Sequence, residues 1–273
     1  MIESILLTTD GSDAAHVAER YGVAMAARLR ARLQGVTVVE EALTQGLRAD
    51  ALGVTPPPVD AVEAFLKARA EAVSRRMAEL AREKGLECAP ETLRGIADDR
   101  IVERGQGAGL VVLGRDGEHA AFRTALIGST VDGVLRKTTK PAVVVPQGAE
   151  FGGPIVLAFD GSPGSRIAAK IAVELAGRLE QPVHVFVDSK DKGRAAARFD
   201  EVRRLLGSAT VPVRETSSTL GRPDVKIVDT ARSARAGLIV MGAFGRNRIS
   251  EYFLGSNAHA VVRTSPVAVL LAR

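Results

Sequence analysis

Two tandem α/β domains, each a five-stranded parallel sheet doubly wound by helices, are what this chain of 273 residues predicts. Three observations carry that prediction. Short β-branched runs alternate with helical stretches in the order βαβαβαβαβ, and such an order needs crossover connections, hence parallel strands covered on both faces. The order restarts after residue 150, with Asp160-Gly161-Ser162 answering Asp10-Gly11-Ser12, the mark of an internal duplication. Each half also carries a glycine-rich turn between its fourth strand and its last helix. Composition agrees: 46% hydrophobic and 25% charged residues describe an ordinary globular chain. Its length is near that at which one core divides. The domains are placed at 1–148 and 152–273.

Taken in order, Ser4 to Thr9 (SILLTT) reads as a short buried strand, and Asp10-Gly11-Ser12 as a turn that starts a helix. From Ala14 to Leu29 the positions Val17, Tyr21, Met25 and Leu29 recur at helical spacing, with Glu19, Arg20, Arg28 and Arg30 expected to face away. Gly35 to Val39 is the second strand. Residues 41–60 lose periodicity and contain Pro56-Pro57-Pro58, which predicts a long excursion. Helix returns from Ala61 to Lys84 and is closed by Gly85. Leu86 to Leu93 is the third strand, Ile96 to Gln106 a short helix and Leu110 to Leu113 the fourth strand. Gly128-Ser129 opens the last helix, and Ala142 to Pro146 closes the first sheet.

In the second half the strands are Pro154 to Phe159, Val183 to Val187, Val211 to Thr216, Leu238 to Met241 and Ala268 to Leu271. The helices between them are Ile167 to Leu179, Ala195 to Leu206 and Val225 to Ser233, with Gly221 answering Gly95. Between Asp10 and Gly114 the first half carries 22 more residues than the second carries between Asp160 and Gly242. Most of that excess lies in the excursion, which follows a strand's C-terminal end, the side where ligands of doubly wound folds sit. It is expected to cover a cleft, to contact the other half, or to be a tolerated surface insertion.

The stretch Met241 to Asn257 carries the chemistry. A buried strand breaks at Gly242 and Gly245 and meets Gly255-Ser256 at a helix start. Glycines let backbone approach a ligand, and free N–H groups at a helix N-terminus favour phosphate. The same element stands in the first half at Gly114, Gly117 and Gly128-Ser129. Asp10 and Asp160, across the switch point from these loops, suit ribose hydroxyls or an adenine amine; each also suits a helix N-cap. Arg246 and Arg248, or Arg115 and Arg123, are placed to reach phosphate oxygens or to stay solvated.

Several function classes are disfavoured. No apolar run approaches a membrane span, and the chain opens on a strand pattern and not a signal peptide, so a cytoplasmic, membrane-free protein is expected. One cysteine, Cys88, excludes an internal disulfide framework. The net charge of +5 comes from 37 Lys and Arg scattered beside 32 Asp and Glu, and aromatics make up only 4%, so a nucleic-acid partner is not expected. There is no Gly-x-x-x-x-Gly-Lys-Ser/Thr loop, His-Glu-x-x-His, Cys/His cluster or Gly-x-Ser-x-Gly elbow, and His16, His119, His184 and His259 lie far apart. Binding, with at most slow turnover, is the expectation.

The Asp-Gly-Ser turn, the Gly-x-x-Gly-nine-Gly-Ser/Thr element and the closing strand together resemble the universal stress protein family, here as a tandem of two domains. The resemblance implies a fold like that of the adenine-nucleotide alpha hydrolases, and ATP, alone or with Mg2+, as the cofactor. It implies that Asp160 meets the ribose or adenine side and that Val185 touches the adenine. Gly242, Gly245, Gly255 and Ser256 would hold the phosphates, with Met241 and Asn257 beside them. The matching first-half residues are Asp10, Val38, Leu113, Gly114, Gly117, Gly128, Ser129 and Thr130. The second half fits the pattern without adjustment and is expected to be the better-formed site. The first half places ten residues between Gly117 and Gly128 where the pattern has nine, and Asp116 brings a negative charge close to the phosphates; Ala268 stands where the first half has Pro141. The resemblance also implies self-association through the last strands, which makes one chain a pseudo-dimer, with a homodimer of whole chains as a further option. The function it implies is an ATP-binding stress-response regulator; a slow ATPase or nucleotidyl-transfer enzyme, and an interaction module without nucleotide, are the alternatives.

Overall fold

The computed structural model describes residues 1–40, 59–117, 127–207, 211–219, 221–243 and 254–273. Its first half runs β1 (Ser4–Thr8), α1 (Asp13–Leu29), β2 (Arg32–Val39), α2 (Val59–Glu83), β3 (Glu91–Arg94), α3 (Ala97–Gly105), β4 (Leu110–Gly114), α4 (Ser129–Lys137) and β5 (Ala142–Val145). The second runs β6 (Ile155–Ala158), α5 (Pro163–Leu179), β7 (Val183–Asp188), α6 (Lys192–Leu206), β8 (Val213–Ser218), α7 (Pro223–Ser233), β9 (Leu238–Gly242), α8 (Ser256–Thr264) and β10 (Ala268–Ala272). The predicted order of elements is present in both halves. The two outermost strands begin later than expected, after Pro90 and Pro212, because proline has no N–H to give a ladder and sits naturally at a strand's start. The excursion, apart from the start of α2, lies outside the described residues.

One ten-stranded sheet results, in the order β3-β2-β1-β4-β5-β10-β9-β6-β7-β8. All neighbours are parallel except β5 and β10, which pair antiparallel with Val144 opposite Val269 and Val143 opposite Leu270. This is the predicted pairing of the two halves through their last strands. It removes two fully buried apolar edges that would otherwise invite another chain. Each half reverses strand order between its first and fourth strands, and the crevice at that switch point is where open α/β sheets take ligands.

Helices α1 and α5 cross-cap each other. Arg28 Nη2 donates to the Leu179 carbonyl at 3.4 Å, and the Arg178 guanidinium donates to the Leu29 carbonyl and, at 2.7 Å, to that of Ile2. These arginines stand at matching places in the repeat, each over the last carbonyl of the other half's helix, where a cation is favoured by the dipole. Tyr21 seals the same seam. Its hydroxyl donates to the Gly237 carbonyl at 3.0 Å and its ring meets Phe151 edge-on at 5.2 Å, while burial pushes the phenol well above its usual range.

One expectation about α1 is corrected. Arg20, Arg28 and Arg30 are exposed as predicted, but Glu19 is 1% exposed. It accepts the Thr9 hydroxyl at 2.5 Å and two N–H groups of Arg76 on α2, at 2.6 and 3.1 Å. A carboxylate of this kind is tolerated in the interior because it is paired and hydrogen-bonded. The periodicity of α1 does not reveal it, since the partner lies 57 residues away.

Candidate functional site

At the C-terminal ends of β1, β2 and β4 the first half encloses a cavity of about 360 Å³. All eight first-half residues singled out in the sequence line it. Asp10 comes from the end of β1, Val38 from β2, Leu113 and Gly114 from β4, Gly117 from the following loop, and Gly128, Ser129 and Thr130 from the start of α4. Val36 and Ile101, which pack in one cluster with Val38, and Ala97 add apolar wall, while Gly128, Ser129 and Thr130 add backbone and hydroxyl groups. Apolar wall together with a polar helix N-terminus suits a molecule of the same mixed character.

The turn after β1 is built by its own side chains. Asp10 Oδ1 accepts the Ser12 N–H at 3.0 Å and the Ser12 hydroxyl at 2.7 Å, while Ser12 Oγ caps α1 by accepting from the Ala15 N–H at 3.2 Å. The N-cap role therefore belongs to Ser12, and to Ser162 in the second half, not to the aspartates. Gly11 sits at φ +77, a left-handed conformation that glycine adopts without strain. A Cβ on Gly117 would stand 3.0 Å from Asp10 Oδ2, so the loop from β4 comes directly against the carboxylate. Helix α4 follows Gly128 with no side-chain cap, and Ser129 is exposed in its first turn. Its first N–H groups thus face the cavity without a side-chain acceptor at the cap.

Arg115 and Asp116 do something other than the sequence suggests. Arg115 Nε donates to both Asp116 oxygens, at 3.1 and 3.2 Å, and the Gln147 N–H donates to Asp116 Oδ2 at 3.2 Å. The charge expected to repel phosphate is therefore already paired. Arg115 Nη1 reaches into the second half, donating to the carbonyls of Ser265 at 2.8 Å, Arg263 at 3.2 Å and Val262 at 3.4 Å. It caps the C-terminus of α8, the helix whose other end carries Gly255-Ser256. Arg115→Ala removes this cap and leaves Asp116 without its guanidinium. The expected cost is about 2 kcal/mol, seen as a lower midpoint of urea unfolding, with Arg115→Lys in between because it keeps charge without the fork.

The second half assembles its residues differently. Asp160 repeats the Asp10 turn, accepting the Ser162 N–H at 2.9 Å. Met241 is buried at the end of β9, Gly255 precedes α8 without a side-chain cap, and Ser256 and Asn257 are exposed in its first turn. Gly242 is pressed against the start of α5: a Cβ there would lie 2.8 Å from the Gly164 carbonyl carbon, whereas one on Gly114 meets Ala18 at an ordinary 3.5 Å. Gly245, Arg246, Arg248, Arg123 and residues 118–126 of the ten-residue spacer lie outside the described residues.

Val185 is a correction. It is fully buried in the cluster with Leu157 and Leu175, on the face opposite Phe186 and Met241. Thr8 pairs with Val36 and Ala158 with Phe186, so two residues further on the counterpart of Val38 is Asp188. Period-two alternation hides a register error of this kind, because either phase of VHVFV reads as a strand. Asp188 Oδ1 is buried without a hydrogen-bond partner among the described residues, while its carbonyl accepts from Arg198 at 2.9 Å.

Sequence reasoning placed helix α2 but missed that its Leu66, Arg69, Ala70 and Val73 form a wall of the first cavity. Their spacing puts them on one helical face, the only signal available, but the excursion before α2 conceals where that face lands. Among the described residues no group of His, Cys, Asp and Glu side chains could hold a metal ion. No described helix is long and apolar enough to cross a membrane.

A model of the universal stress protein family matches this chain twice, over residues 1–146 and 153–273. A universal stress protein of Mycobacterium tuberculosis is 31% identical over 198 residues, covering 63% of this chain and 64% of the relative. One of Synechocystis is 27% identical over 169 residues, covering 60% and 58%. The chain thus spans about three-fifths of the length of these relatives. Among solved structures, a universal stress protein from Archaeoglobus fulgidus has the same fold, with a TM-score of 0.77 at 19% identity over 100% of this chain and 99% of that one.

Proposed function

The chain belongs to the universal stress protein family, and from that premise we propose that it is an adenine-nucleotide-binding regulator of the stress response, with a site in the first-half cavity. One observation carries the reading: a single cavity of about 360 Å³ is lined both by apolar Val38, Ile101 and Leu113 and by the polar start of α4, with Asp10 also in its wall. The base lies against Val38 and Ile101, Asp10 accepts ribose hydroxyls, and the N–H groups of Asp116, Gly117, Ser129 and Thr130 receive the phosphates, those of Arg115 and Gly128 being taken by the Val145 and Arg115 carbonyls. ATP is the favoured ligand, and Mg2+ would enter with the triphosphate and not on a protein cluster. The Asp160, Gly242 and Gly255-Ser256 side of the second half is a further, dissimilar site for the same class of ligand.

Binding is the activity, and nucleotide acts by stabilising the folded chain through mass action. Of the three carboxylates that line the cavity, Asp10, Glu40 and Asp116, two are engaged, Asp116 by Arg115 and Asp10 in its turn, which favours holding a phosphate chain over activating water. Steady-state phosphate release separates this reading from slow hydrolysis. The last-strand edges are already paired within the chain, so association of two whole chains would use another surface. We place the protein in the cytoplasm. Protein purified without added nucleotide, denatured and analysed by mass spectrometry is expected to release an adenine nucleotide; absence of any, together with an unchanged melting temperature in ATP, would refute the proposal.

A further inference from the structure

Behind the Asp10 turn lies a polar chain that the second half does not have. Arg76 on α2 forks onto Glu19 on α1, Glu19 accepts the Thr9 hydroxyl at 2.5 Å, and Thr9 Oγ1 in turn accepts the Gly11 N–H at 3.0 Å. Thr9 and Asp10 both line the cavity. Glu19 and Thr9 are buried, and Arg69, also from α2, donates to the Asp10 carbonyl at 3.2 Å. The matching residues in the second half are Phe159 and Ala169, both buried and apolar. A buried carboxylate with its arginine is costly to desolvate, and such a group placed behind one turn and not the other calls for a reason.

We infer that Thr9 and Glu19 are positioning residues for Asp10: the chain Arg76–Glu19–Thr9 latches α2 and the β1–α1 turn together and so sets the carboxylate that faces the ligand's ribose. This rests on the reading of the first cavity as the nucleotide site. The hydroxyl of Thr9 both donates to Glu19 and accepts from Gly11, so it restrains the backbone on both sides of Asp10. Loss of that hydroxyl leaves Glu19 still paired with Arg76, and the fold intact, while the turn is freed. The second half's turn lacks the restraint, so its ligand affinity does not depend on it.

The test compares Thr9→Val, which keeps the shape and removes the hydroxyl, with Thr9→Ser, which keeps the hydroxyl. Calorimetric titration with ATP is expected to show affinity at the first site weakened about tenfold in Thr9→Val, the effect of one charge-assisted hydrogen bond, and restored to within about threefold in Thr9→Ser. Parent-like binding in Thr9→Val, or equal weakening in both variants, overturns the inference. Should the parent bind no adenine nucleotide, the site reading has failed, and amide hydrogen exchange at Gly11 then decides the latch alone. Faster exchange in Thr9→Val than in Thr9→Ser supports it, and equal exchange overturns it.

Discussion

Gly128→Asp is expected to remove nucleotide from the first half while leaving the protein as stable as the parent, or slightly more so. Gly128 precedes α4 at φ −56, a conformation open to any residue, and a Cβ there would stand 3.4 Å from the Arg115 carbonyl oxygen. Aspartate is among the best N-cap residues, so the new carboxylate accepts an N–H of the first turn and gains a few tenths of a kcal/mol over glycine. The same carboxylate then occupies the place proposed for phosphate. Two negative charges about 4 Å apart at an effective dielectric near 20 repel by about 4 kcal/mol, so affinity falls by about a hundredfold or more. Equilibrium dialysis with ATP measures the loss and urea unfolding measures the stability. Their divergence is what distinguishes a blocked site from a damaged fold.

Gly237→Ala is expected to be the most destabilising small substitution in the seam between the halves. A Cβ at Gly237 would stand 1.6 Å from the Gly152 carbonyl oxygen and 2.6 Å from its carbon, and neither is a side chain that can turn away. The residue is also tied down, donating its N–H to Pro154 at 3.0 Å and accepting the Tyr21 hydroxyl. Relief requires the connection between the halves to shift, at a cost of about 3 kcal/mol or more. Gly177→Ala is the control. It lies within α5, a Cβ there meets nothing within 4 Å among the described residues, and helix propensity favours alanine by about 0.5–1 kcal/mol. Urea midpoints should move in opposite directions.

Much of this architecture is legible in the chain because its signals are local and repeated. The β-branched runs and the paired Asp-Gly-Ser turns specify ten strands and two halves, and the glycine elements place both helix starts at the correct edge of the sheet. What is not legible depends on distance or phase. Glu19 looks like a surface residue because its partner Arg76 lies on α2. Val185 looks like a cleft residue because alternation in VHVFV does not set register, and only the pairing of Ala158 with Phe186 moves the position to Asp188. Arg115 looks like a phosphate ligand, yet the nearest unsatisfied carbonyls belong to α8, about 150 residues along the chain. The expectation that the second half holds the better site came from glycine spacing, and most of the loop it rests on, residues 244–253, lies outside the described residues. The cavity in the first half is shaped in part by α2, whose docking no spacing rule describes.

The most direct test of the central claim is the number of ATP molecules bound per chain, measured by calorimetric titration of the parent beside Gly128→Asp and Gly255→Asp. Saturable binding to the parent is expected, with loss of the first-half site in Gly128→Asp and its retention in Gly255→Asp. Parent protein that takes up no adenine nucleotide at millimolar concentration, or nucleotide binding that is unchanged in Gly128→Asp and abolished in Gly255→Asp, would contradict a nucleotide site in the first-half cavity.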